Sequence, residues 1–100
     1  MEEEYMLMIN VLPGLEEAMV DCLLSCENER GFNSFQVSCH DYRSLGFSQA
    51  EQVTGRQRKI RFQIFVEKNS ISALLDMLKN NFTGSGIDYW VLPVSGQGRL

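Results

Sequence analysis

The sequence predicts an α+β fold in which four antiparallel strands form one sheet and two helices cover one of its faces. Three observations predict it: four segments of strand length, two segments with apolar residues at helical spacing, and their order along 100 residues. That order is β-α-β-β-α-β, the ferredoxin-like βαββαβ arrangement. A chain of this length makes one small domain. We therefore expect a single domain over residues 1–100, with residues 95–100 as a flexible tail.

The first half of the chain contains a strand, a helix and a second strand. Residues 5–12 are apolar almost throughout, which is typical of a central strand. Pro13 and the glycine after it interrupt this run. Apolar residues then recur at helical spacing over 15–26, with acidic residues in the first turn, where the helix dipole favours them. Residues 35–39 alternate between apolar and polar side chains, as in a half-buried strand.

The second half begins with a long connection and adds a strand, a helix and a strand. Residues 41–55 form a polar connection of about fifteen residues, whereas hairpin loops usually have two to five, so its length indicates a function. Residues 58–66 alternate as a third strand. Ser70 is placed to cap the second helix. Residues 87–94 form the last strand, and Pro93 suits its end or a sheet edge.

The sheet face away from the helices is predicted to be apolar. If the helices cover the face that carries Leu7 and Ile64, the open face carries Met6, Met8, Phe65, Trp90 and Leu92. Large exposed apolar patches usually mark an interface. We therefore expect a closed homo-oligomer that buries this face.

Composition excludes several classes of protein. A formal net charge of -4 and a pI near 4.9 argue against nonspecific binding of nucleic acid, which requires a basic surface. No apolar run approaches the ~20 residues of a membrane helix. The acidic start is unlike a secretory signal. The odd number of cysteines, three, suits reduced thiols. These observations predict a cytoplasmic protein.

Two segments are candidates for binding an anion. Arg56 and Arg58 begin a run of four basic residues within 56–61 and could hold a phosphate or carboxylate; a solvated strand end is an equal alternative. The turn at Thr83, Gly84 and Gly86 could add backbone N–H donors around Ser85 and Gly86, although a plain turn is the favoured interpretation.

The long connection contains a helix-start signal. Ser48 and Glu51 have the spacing of a capping box, which predicts a short helix inside the connection. Capping is the favoured role, and contact with a partner protein is the alternative for Ser48, Glu51, Gln52 and Gly55.

The candidate metal ligands are few. Cys39 and His40 are adjacent, so they point to opposite faces of a strand, although a threefold axis could gather His40 from several chains. Cys22 and Cys26 lie one helical turn apart, and core packing is favoured for them because no partner ligand is near in sequence. No catalytic constellation is present, so we do not expect an enzyme.

The sequence resembles the PII signalling superfamily, and most closely a small PII-like branch of it. The matching segments are residues 15–21, 31–35, 50–56 and 89–94. The resemblance implies a trimer with its sheets packed around the central axis. It also implies that the connection after the second strand corresponds to the T-loop, which contacts regulated partners in PII proteins. Ligands of that family bind in clefts between subunits, near the loop base and the glycine-rich turn.

The chain also departs from the PII pattern. The turn before the last strand contains no lysine, and Arg99 is the only arginine beyond that strand. Both departures argue against binding of ATP and 2-oxoglutarate. The leading prediction is a non-enzymatic signalling trimer of the nitrogen-regulatory type, which senses a small ligand or partner through the 41–56 loop. The alternative is a metal-responsive or heavy-metal-tolerance accessory protein, since chain length and compact loops also resemble the trimeric CutA proteins.

Overall fold

The computed structural model describes residues 3–26, 28, 30–40 and 47–100. It confirms the predicted ferredoxin-like α+β fold: one four-stranded antiparallel sheet in the order β2-β3-β1-β4, with two long helices. The elements are β1 (Glu4–Val11), α1 (Glu16–Ser25), β2 (Phe32–Cys39), α2 (Gln49–Thr54), β3 (Gln57–Glu67), α3 (Ile71–Asn81) and β4 (Asp88–Pro93). Among the described residues, none of the helices has the length and apolarity that crossing a bilayer requires.

The strand register assigns each side chain to a face. Leu7 of β1 lies opposite Ile64 of β3 on one side and Val91 of β4 on the other. Because successive side chains alternate, Met6 and Met8 belong to the opposite face. The predicted division of the sheet into a covered and an open face is therefore confirmed.

The core lies between the sheet and α1 and α3. Leu7, Ile9 and Phe62 of the sheet are almost completely buried, together with Met19 of α1 and Leu78 of α3. The apolar stripes of the two helices supply these contacts, as their helical spacing predicts. The residues that alternate with this set in β1 and β3 form the open face.

Strand β2 begins three residues earlier than the alternation at 35–39 predicts. Gly31 has φ of 69°, which lets the chain turn sharply after α1. Phe32 then pairs with Ile64, and its ring lies 6.1 Å from the ring of Phe62. Contact with the core, rather than the local pattern, sets the start of this strand.

The start of α3 differs from the prediction. Ser70 ends a single 3₁₀ turn that runs directly into the helix, and its side chain forms no capping hydrogen bond. Its backbone is already in the right-handed helical region, whereas a capping serine needs an extended backbone. The helix is held instead by its apolar face.

The open face is apolar at both edges of the sheet. Phe35 and Val37 of β2 lie on the same face as Arg61 and Lys59, their register partners in β3. Trp90 and Leu92 of β4 lie there too, and every residue of β4 is exposed. The apolar residues that alternate along β2 therefore point away from the helices. They belong to a surface that a single chain leaves uncovered.

Candidate functional site

The base of the long connection is built around α2. The hydroxyl of Ser48 accepts a hydrogen bond from the Glu51 backbone N–H at 3.2 Å, and the Ser48 N–H donates to the Glu51 carboxylate at 2.9 Å. This is the predicted capping box. Gln52 donates its side-chain N–H to the Phe47 carbonyl at 3.1 Å. Capping and local closure therefore occupy the side chains for which partner contact was the alternative; residues 41–46 of the connection lie outside the described part.

A glycine joins α2 to the strand that follows. Gly55 ends the helix with φ of 71°, a left-handed conformation that favours glycine. The backbone N–H groups of Gly55 and Arg56 both donate to the Glu51 carbonyl, at 2.8 and 3.2 Å. Arg56 thus lies at a fixed position between helix and strand, and its side chain is exposed.

The basic run divides between two faces of β3. Arg58 is exposed on the side of the strand that carries Ile60, whereas Lys59 and Arg61 lie on the open face. Lys59 approaches Asp88 at 4.0 Å between Nζ and Oδ2. The basic residues divide in this way because successive side chains of a strand point to opposite faces. Arg56 and Arg58 are the exposed cations of this run.

Arg61 belongs to a polar contact chain within the open face. Its Nε donates to Asn10 Oδ1 at 2.8 Å, and its guanidinium lies 5.7 Å from the centre of the Trp90 ring. The Asn10 amide nitrogen lies 3.8 Å from Cys39 Sγ. Asn10 is buried, so these contacts satisfy its amide in a place where an unpaired polar group would be costly.

The glycine-rich turn borders a groove beside α3. Thr83, Gly84 and Gly86 line this groove of about 580 Å³ together with Asp76 and Lys79. The Thr83 hydroxyl donates to the Lys79 carbonyl, and the Ser85 N–H donates to the Phe82 carbonyl at 3.2 Å. The amide of Ser85 is therefore used to close the turn, which removes one donor of the predicted anion nest.

One chain does not bring the two predicted anion-binding segments into one pocket. Arg58 lies near the start of β3, and the turn precedes β4, so both are at the same end of the sheet. Strand β1 separates β3 from β4 in the sheet order. The groove beside the turn includes neither Arg56 nor Arg58 in its lining.

The two predicted metal candidates at the end of β2 are differently placed. Cys39 is the last strand residue and is half-buried against Asn10, while His40 follows it and is exposed. Among the residues that the structure describes, no group of three or more His, Cys, Asp and Glu side chains is arranged to hold a metal ion.

The helix cysteines are only partly in the core. Cys22 is half-buried and packs against the core, whereas Cys26 is exposed, and all three cysteines are free thiols. Burial raises the pKa of the Cys22 thiol, and the neighbouring Cys26 adds a smaller effect in the same direction. The prediction of core packing is therefore wrong for Cys26, which follows the last residue of α1 and is exposed.

Three residues of interest do not stand out in the sequence. Lys79 lines the groove at the turn, but in sequence it is an ordinary cation near a helix end. Val53 is 88% exposed on α2, and an apolar residue in a polar loop is the only signal it gives. Met77 approaches both Cys22 and Cys26. It lies more than fifty residues from them in the sequence, so no local pattern predicts this contact.

The fold and the position of its loop define a class of protein. The order of the elements, the long connection between β2 and β3, and the glycine-rich turn before β4 are those of the PII-like fold, as the sequence resemblance predicts. The structure is similar to that of Arabidopsis thaliana PII bound to citrate, with a TM-score of 0.69, 21% identity, and coverage of 94% of this chain and 79% of that chain. It is also similar to CutA from Synechococcus elongatus PCC7942, with a TM-score of 0.70, 13% identity and the same coverage.

The chain belongs to the DUF3240 family, whose model matches residues 1–100 and which is described as a family of unknown function. A DUF3240 protein from Shewanella baltica OS155 has a similar structure, with a TM-score of 0.79, 20% identity, and coverage of 100% of this chain and 99% of that chain. No curated protein matches the sequence.

Proposed function

We propose that the protein is a non-enzymatic, cytoplasmic regulatory trimer that binds a small anion and signals through the connection between β2 and β3. The observation that carries the proposal is the common location of Arg58, α2 and the glycine-rich turn at one end of the sheet. An occupant of that end contacts the base of the connection directly. The assignment to nitrogen regulation rests on resemblance to PII alone.

The anion is held by exposed arginines in this proposal. Arg56 and Arg58 follow α2 closely, and Gly55 fixes the direction in which the chain enters β3. A guanidinium presents paired N–H donors that match a carboxylate or phosphate. Since the protein as a whole is acidic, this local positive charge sets the site apart from its surroundings.

The trimer is supported by the open face of the sheet. Phe35, Trp90 and Leu92 are exposed there, at both edges of the sheet. Packing three such faces around an axis removes apolar area from water, and a closed ring leaves no copy of the face uncovered. The resemblance to PII proteins implies that, in such a trimer, the loop base of one subunit and the glycine-rich turn of a neighbour line a cleft between subunits.

The signalling element is the helix α2 with the residues before it. Its side chains at Ser48 and Glu51 hold the helix start, so a change at Arg56 is transmitted to the connection through a short rigid segment. Val53 is exposed on that segment and is the apolar contact it offers to a regulated protein. In this proposal, an anion bound at the arginines acts by shifting the connection between an ordered and a less ordered state.

The test uses citrate, the anion bound by the Arabidopsis PII structure, and orthophosphate as defined probes. Calorimetry of the purified protein is expected to show saturable binding that Arg58→Ala weakens by about tenfold, the effect of losing about 1.4 kcal/mol of charge-assisted hydrogen bonding. Arg99→Ala removes the same charge from the tail and is the matched control. Equal weakening of binding by both variants would indicate nonspecific charge attraction. If neither citrate nor orthophosphate binds, the result would count against an anion sensor.

A second candidate function is a metal-responsive accessory protein. The observation that favours it is the approach of Met77 on α3 to Cys22 on α1 and to Cys26 just after the end of α1. This cluster lies among the helices, away from Cys39 and His40, so it gives the metal hypothesis a location that is separate from the end of β2.

A further inference from the structure

Three sulfur atoms meet where α1 and α3 pack against each other. Cys26 Sγ lies 3.2 Å from Met77 Sδ, and Cys22 Sγ lies 3.9 Å from the same atom. The two cysteines are four residues apart, so their side chains project from the same face of α1. Both cysteine sulfurs therefore lie against the same Met77 sulfur at the surface of the helix layer.

The distances of the two cysteine sulfurs from the Met77 sulfur suit a small ion bound by all three residues. A metal–sulfur bond length of about 2.3 Å, as in thiolate sites, places three sulfurs in a trigonal plane about 4.0 Å apart. The separation of 3.9 Å for Cys22 already fits, and that of 3.2 Å for Cys26 needs to widen by about 0.8 Å. Methionine has three rotatable bonds and adapts easily to such a change.

The ligand chemistry selects the ion. Two thiolates and a thioether are soft donors, which favour Cu(I) among the first-row metals. Zinc in structural sites takes four ligands in a tetrahedron. Within the described ranges, no set of three or more His, Cys, Asp and Glu side chains is arranged for a metal, so the thioether is needed as third ligand. A thioether as the third ligand also favours Cu(I) over zinc.

We propose that Cys22, Cys26 and Met77 bind one Cu(I) ion per chain. Binding converts both thiols to thiolates and releases two protons, so that the ion and its ligands carry a net charge of about -1. No change of oxidation state is required. The proposal goes beyond anion sensing and does not depend on it, because the site lies on the helix layer and the arginines do not.

The site is accessible from solvent. Cys26 is exposed, and Cys26 and Met77 line a groove of about 550 Å³ between α1, β3 and α3. The groove is on the helix side of the sheet, opposite the open face. A trimer that buries the open face therefore leaves the entrance to the copper site free.

The experiment is an anaerobic titration of the full chain with Cu(I) in competition with a chromophoric Cu(I) chelator. We expect one ion per chain, and ultraviolet absorption from thiolate-to-copper charge transfer. Cys26→Ser is expected to lower the affinity at least about a hundredfold, because a thiolate ligand is lost. Met77→Leu keeps the size of the side chain and removes only the sulfur, so a loss of about tenfold is expected with an unchanged melting temperature.

Two control variants separate this site from the others. Cys39→Ser is expected to bind Cu(I) as the unaltered protein does, and Arg58→Ala likewise, whatever its effect on citrate. Loss of the ion in Cys39→Ser, or retention of full affinity in Met77→Leu, would overturn the three-sulfur site. Absence of Cu(I) binding would overturn it as well. Cys26 is exposed, so its serine variant is expected to fold, and circular dichroism checks this.

Discussion

Replacing Phe35 with alanine is expected to weaken the proposed trimer. Phe35 lies on edge strand β2, points to the open face, and is 43% exposed. The part of its ring that water still contacts in one chain is the part that assembly can bury. The larger part of the residue is already buried in one chain and contributes to folding, so circular dichroism is needed to show that the variant still folds.

The magnitude can be worked from that exposure. A phenylalanine offers about 200 Å² of area, of which the exposed share is about 85 Å², and its burial is worth about 2 kcal/mol at 25 cal/mol per Å². A closed trimer contains three copies, so the loss is about 6 kcal/mol per assembly. Because 1.4 kcal/mol corresponds to a factor of ten, the constant for dissociation into monomers should rise by roughly four orders of magnitude.

Sedimentation equilibrium over a range of concentrations measures this shift against the chain mass of 11.4 kDa. Leu24→Ala is the matched control, since Leu24 is 62% exposed but lies on α1, on the opposite side of the sheet. The control should keep the mass of the unaltered protein. A monomeric unaltered protein at micromolar concentration, or equal dissociation of both variants, would refute the assignment of the open face as the interface.

Two further predictions concern α2 and the helix thiols. Ser48→Ala removes the capping hydroxyl at a cost of about 1 kcal/mol, so hydrogen exchange of the amides of 51–55 should be about fivefold faster. Ser70→Ala is its control, because Ser70 makes no capping bond; similar effects of both would contradict the capping argument. For Cys22, the raised pKa of the thiol delays formation of the reactive thiolate as pH rises. Its alkylation rate, followed by mass spectrometry of peptides, should reach half of its maximum at a pH above 9.0, the ordinary thiol value; a midpoint at or below that pH would contradict the effect of burial.

Much of the candidate site was predictable because its signals are local. The capping box at Ser48 and Glu51 needs only a spacing of three residues, and it forms as predicted. The alternation in β3 likewise assigns Ile60 and Arg61 to opposite faces without knowledge of the partner strands. Patterns of this kind act over one turn or one pleat, so neighbouring residues contain all the information.

Other features depend on contacts between distant segments. The start of β2 at Phe32 depends on the ring of Phe62, and the apolar side of β2 turns away from the helices because of its register with β3. Ser70 fails as a cap because its backbone is already helical. Local sequence patterns do not predict such contacts, because they indicate which residues share a face but not which segment covers that face.

The sequence by itself determined the order of the elements, the two helix stripes, the division of the sheet into two faces and the location of the long connection. Each of these follows from periodicity and turn chemistry in short segments. Only the tertiary structure decided that Met77 meets Cys22 and Cys26, and that Arg58 and the turn at Thr83 share one end of the sheet while lying apart. The physical reason is that packing of α1 against α3 and the strand order β2-β3-β1-β4 set these distances, and both arise from contacts far apart in the chain.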